Sequence, residues 1–111
     1  EWGQKAGADL FKTERKRPLG VLAGNDEIAF GVMRAAQDAG LTVPGDVRIV
    51  GFDDSRLSNL MHPRLSSVRV PRAEVGAAAV ATLTRRIDNP DAPAQTTVLP
   101  TSLVVRESSH P

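Results

Sequence analysis

The stretch from Leu19 to Phe52 constrains the fold more than any other part of this chain. LGVLA (19–23) is an apolar run of strand length. Asn25 then suits a helix N-cap, and Asp26 and Glu27 fall in the first turn, where the positive end of the helix dipole favours acids. Ile28, Val32, Ala35, Ala36 and Ala39 recur at helical spacing, and Gly40 stops the helix in the manner of a left-handed glycine beyond the C-cap. After the turn LTVPGD, VRIVGF (47–52) is a second apolar run. Strand, helix and strand in about 34 residues make a βαβ unit, so the strands are expected to be parallel and the crossover right-handed. Their near-continuous Val and Ile content is that of strands covered on both faces. The expected fold class is α/β, built from parallel-sheet βαβ layers.

Sheets of this kind collect ligands outside the carboxyl ends of their strands. Gly24–Asn25–Asp26 and Asp53–Asp54 both fall at such ends, so they are expected on one rim, beyond the core. Asp53–Asp54 makes a poor acid/base pair, because consecutive strand-end residues diverge and no His or nucleophile lies nearby in sequence. Nothing resembles the spaced acidic loop of a calcium site. Two readings stay open: the pair begins a turn, or a fixed carboxylate accepts hydrogen bonds from a neutral polyol.

Other candidates carry plain explanations. Asn25 is accounted for by capping, although it can cap with one group and present the other to a ligand. Trp2, the only tryptophan in a chain without tyrosine, suits core or interface, or a flat platform for a sugar ring. Lys12 and Arg15–Lys16–Arg17 read as a solvated helix end. His62, Ser66–Ser67 and His110 fit no triad, and GND lacks the spacing of a phosphate-binding glycine loop. No catalytic residue, metal ligand or cofactor is expected.

Around this unit the pattern is simpler. A helix is expected from Trp2 to about Glu14, ended by KRPLG. SRLSNLM (55–61) suggests one helical turn and SSVRV (66–70) a strand. Pro71 suits the first position of a helix running to about Asp88 on Val75, Ala79, Leu83 and Ile87. TTVLP and TSLVVRE suggest one strand interrupted by Pro100, or two short ones. With 111 residues the chain is one domain's worth, and a net charge of +1 gives no electrostatic case for nucleic acid or membrane. The absence of cysteine excludes disulfides and is compatible with the cytosol. No apolar stretch approaches the roughly 20 residues that cross a bilayer. The chain opens on Glu1 rather than Met and shows no signal peptide, so a trimmed product or part of a longer protein is expected.

Four blocks in order resemble one known family. They are AGNDEIAFGVMRAAQDAGLTVPGD, VRIVGFDDS, HPRLSSVRVPRAEVGAAAVATL and VLPTSLVVRES. Together they are similar to the C-terminal part of the effector-binding core of LacI/GalR-type transcriptional regulators. The resemblance implies a periplasmic-binding-protein-like (type I) fold of two α/β subdomains around a ligand cleft. Residues 1–68 and 100–108 would belong to the C-terminal subdomain and 70–99 to the N-terminal one, with the DNA-binding head absent. By position, Asp53 would accept from effector hydroxyls, Asn25 would line the cleft, Trp2 would stack on the ligand and Phe52 would flank the acid. Helix 26–39 (Ile28, Val32) and Leu60–Met61 would contact a second subunit. Val70 stands where many members carry Gln, so one polar contact that the resemblance implies for the cleft is missing. The implied protein is a cytoplasmic homodimer sensing a sugar or related metabolite, touching DNA only through the missing head and no membrane. Two rival readings are a periplasmic sugar-binding receptor and a magnesium-dependent receiver- or phosphatase-like domain.

Overall fold

The computed structural model describes residues 1–110 and divides the chain into two compact units, Glu1–Arg69 with Ser102 onward, and Val70–Thr101. In the first, helix α1 (Trp2–Thr13) precedes strand β1 (Leu19–Leu22), helix α2 (Asp26–Asp38) and strand β2 (Val47–Asp53). A short helix α3 (Arg56–Leu60) then leads to strand β3 (Ser66–Arg69). The second unit holds helix α4 (Arg72–Asp88), and the chain returns as strand β4 (Ser102–Val104).

The sheet has the order β1-β2-β3-β4. β1 and β2 are parallel with Leu22 opposite Val50, and β2 and β3 are parallel with Gly51 opposite Ser67. β4 closes the sheet antiparallel to β3. The βαβ unit is therefore as its residues imply. Asn25 caps α2 by accepting from the Ile28 amide at 2.8 Å, and Gly40 ends the helical region at φ 71°, a conformation that costs glycine nothing.

α1 lies on α2 through small residues. A Cβ on Gly3 would overlap the Ile28 carbonyl, and one on Gly7 would sit 2.9 Å from Ala35 Cβ, so the two backbones approach as closely as glycine permits. The core sits between these helices and one face of the sheet, with Ala29, Val32, Met33 and Ala36 from α2 against Val47 and Ile49 of β2. Phe11 and Leu65 belong to the same core.

Two expectations need correction. β2 is covered on one face only: Val47, Ile49 and Gly51 are buried, while Arg48 and Phe52 on the alternate face are exposed. Leu22, Phe52 and Leu103 leave that second face apolar and open, because no helix of this unit crosses it. The helix of the second unit has no buried residue, and its apolar stripe of Val75, Leu83 and Ile87 is exposed. Beyond the loop after α4, only Ser102–Val104 pair as strand; TTVLP does not.

Candidate functional site

β1 and β2 run side by side, so the residues after their carboxyl ends emerge on one rim. The ladder continues one step past β1, where the Ala23 amide donates to the Val50 carbonyl at 2.8 Å. Two residues later stands Asn25, partly buried, whose side-chain oxygen is committed to the cap. Its amide NH2 is the group left to face a ligand. Asp53 ends β2, half-buried, with φ 102°, and Asp54 follows at φ 47°. Two consecutive non-glycine residues with positive φ are strained by about 1–3 kcal/mol each and persist only where surroundings over-determine them.

Those surroundings are a buried polar network built on Asp26. Asp26, 1 % exposed, accepts from the Ser55 amide at 2.6 Å and from Ser67 Oγ at 2.6 Å. Ser67 Oγ in turn accepts from the Asp54 amide at 2.9 Å. One carboxyl thus joins the loop after β1 to the loop after β2 and to β3. Gly51 leaves room for it, since a Cβ there would overlap Asp26 Oδ1 and stand 2.8 Å from Leu65 Cδ2.

Asp54 does not lie beyond the core as its position after the strand suggests. Its side chain is 6 % exposed and paired with Arg106, whose Nη2 donates to Oδ1 at 2.7 Å, and with Arg69, whose Nε donates to Oδ2 at 2.7 Å. Ser58 Oγ adds a donor at 3.1 Å. Burial pushes the Asp54 carboxyl up, but the hydrogen bonds from Arg69, Arg106 and Ser58 and the Arg106 charge outweigh it and hold the group below the ordinary carboxylate range. With both oxygens engaged by guanidinium groups, Asp54 offers little to a cation. Among the described residues no group of three or more His, Cys, Asp or Glu is placed to hold a metal ion.

The sequence candidates fall in distinct places. Trp2, largely exposed, lines a shallow hollow of about 190 Å³ together with Leu10, Val21, Leu22, Gly24 and Ile28. Phe52 is 38 % exposed on the open sheet face, opposite the face that Gly51 presents to Asp26. Ile28 is partly buried at the edge of the core. Val32 and Met61 are buried in that core, whereas Leu60 beside Met61 is exposed. Sequence reasoning missed the roles of Asp26, Ser67 and Arg106. Asp26 looks like an ordinary first-turn acid, and Arg106 stands far from Asp54 along the chain, so no local pattern announces either.

A family model described as a periplasmic binding protein-like domain matches residues 1–109. The chain is 41% identical over 108 residues to the ribose operon repressor of Haemophilus influenzae, covering 97% of this chain and 32% of that protein. It is 39% identical over 109 residues to a lactose operon repressor of Rhizobium radiobacter, covering 98% of this chain and 95% of that sequence. Among solved structures it is similar to a LacI family transcriptional regulator from Arthrobacter sp. FB24 in complex with lactose. That match has a TM-score of 0.85 at 34% identity, over 97% of this chain and 41% of the other. The chain thus spans about a third of the length of the first of these relatives. The family model and these relatives lead to one assignment: the chain belongs to the LacI/GalR family, within its periplasmic-binding-protein-like effector domain.

Proposed function

We propose that this chain is the effector-sensing and dimer-forming part of a cytoplasmic DNA-binding transcriptional regulator that responds to a small polar ligand of the sugar class. The observation that carries the reading is the rim, where Asn25 just beyond β1 and Asp53 as the last residue of β2 stand at the carboxyl ends of adjacent parallel strands. An amide donor and a carboxyl acceptor on one rim match the hydroxyls of a neutral sugar. Trp2 and Phe52 supply flat apolar surface for its ring. In this reading residues 1–68 and 100–108 form the C-terminal subdomain, and 70–99 belong to the N-terminal one.

The mechanism is closure by differential affinity. A sugar that bridges two rims favours the orientation in which both are engaged, and it shifts the population only by the affinity difference between the two orientations. In a homodimer that orientation sets the separation of the DNA-reading heads. Subunit contact falls to side chains still exposed on α2 and α3, Phe30 and Leu60, because Val32 and Met61 are buried. The domain acts as a binding module and not as an enzyme. The relatives' names are those of repressors, which favours this reading over a transport receptor.

The test is calorimetry on the complete gene product with a panel of aldoses and disaccharides that includes D-ribose and lactose, together with the Asp53→Asn variant. Micromolar binding that falls at least tenfold in the variant supports the proposal. Binding to none of the panel, or binding indifferent to Asp53, overturns it. The 111-residue chain alone carries one rim and is expected to bind the same sugars weakly or undetectably.

A further inference from the structure

Asp54 occupies a position that ligand contact does not explain. The chain leaves the first unit directly after Arg69, the last residue of β3, and re-enters it at Ser102. Arg69 and Arg106 therefore flank the outgoing and the returning crossing, and both guanidinium groups end on the one Asp54 carboxyl. Arg106 is held further by donating to the Leu65 carbonyl at 2.7 Å, and its own amide donates to Ser66 Oγ at 2.7 Å. The Asp54 amide is fixed on Ser67 Oγ, and the preceding residue is Asp53 with its strained backbone.

We infer that Asp54 is a positioning residue: it ties the rim residue Asp53 to both chain crossings, so that occupancy of the rim is felt where the chain passes between its two units. The inference rests on the effector reading above and deepens it. Discrete ion-pair geometry suits such a role, because a carboxyl shared by two guanidinium groups has few alternative arrangements of comparable energy. Arg69 is the movable arm, since its side chain is 57% exposed while that of Arg106 is 10% exposed. A sugar that draws on Asp53 shifts the adjacent Asp54, and Arg69 carries that shift to the outgoing strand.

The experiment uses the complete gene product and the sugar from the panel that binds it. Hydrogen–deuterium exchange is followed in peptides spanning 66–72 and 100–106, with and without sugar, in the wild type, Arg69→Gln and Asp54→Asn. The wild type is expected to gain at least threefold protection in both peptides on adding sugar. Arg69→Gln, at an exposed side chain, is expected to fold, to keep sugar affinity within about threefold and to lose the protection change in 66–72. Asp54→Asn is expected to lose it in both peptides. Full sugar-dependent protection in Arg69→Gln and in any folded Asp54→Asn overturns the inference while leaving the effector reading intact. Absence of sugar binding by the wild type overturns both.

Discussion

Gly51 and Asp26 occupy each other's space: a Cβ on the glycine would overlap Asp26 Oδ1, so the strand carries no side chain where the buried carboxyl of the next layer enters. This contact explains why the apolar run of β2 contains a glycine two residues before Asp53. A Gly51→Ala substitution must move Asp26 or Leu65, and overpacking of this kind costs about 1–3 kcal/mol. In a domain of this size each kcal/mol lowers the melting temperature by roughly 4–8 °C. A thermal melt of the variant chain checks this, and an unchanged midpoint would show that the carboxyl has room to shift.

Asp26 is expected to be more sensitive still. Asp26→Ala leaves the Ser55 amide and Ser67 Oγ without their acceptor, at about 1–3 kcal/mol for each buried donor. Asp26→Asn keeps one acceptor oxygen and is expected to lose about half as much. Urea unfolding of both variants checks the order, and equal losses would mean that packing, not hydrogen bonding, sets the cost.

The βαβ unit was legible because its signals are local. The Asn25 cap, the Ala-rich stripe and the Gly40 stop lie within sixteen residues, and each acts on its own backbone. The rim followed from strand direction alone. The interior of the site was not legible for the opposite reason: the Asp26–Ser67 bond spans 41 residues and the Arg69–Asp54 pair spans 15, across separate elements. A first-turn acid satisfies the helix dipole whether or not it is buried, so Asp26 gave no outward sign of its second role. The open face of β2 has a similar cause. Val and Ile in a strand record what the side chains suit, and within this unit only one face has helices to cover it.

Acid should expose the Asp54 clamp. The carboxyl is held below the ordinary value of 3.8 in the folded chain. A depressed carboxyl binds protons more weakly when folded than when unfolded. Its contribution to stability is therefore complete above the unfolded value and is lost as pH falls through the lowered folded one. Unfolding free energy of the wild type is expected to decline below about pH 4, with a visibly flatter acid limb in Asp54→Asn. Arg106→Met removes one of the carboxyl's two guanidinium partners while Arg69 and Ser58 remain, and is expected to cost about 1.5–3 kcal/mol at neutral pH. Urea titrations at neutral pH and through the acid range measure both, and parallel acid limbs in wild type and Asp54→Asn would contradict the assignment.

Asn25 combines two duties that one pair of substitutions can separate. Its side-chain oxygen caps α2 through the Ile28 amide, while its NH2 is the part available to a sugar. Serine caps about as well as asparagine, whereas alanine removes the acceptor and costs about 1 kcal/mol. Asn25→Ser is therefore expected to melt within about 2 °C of the wild type, and Asn25→Ala several degrees lower. If the rim binds a sugar, both variants of the complete gene product should lose affinity to a similar extent, because neither retains the amide donor. Wild-type affinity in Asn25→Ser would reduce Asn25 to a helix cap and leave Asp53 as the polar group of this rim.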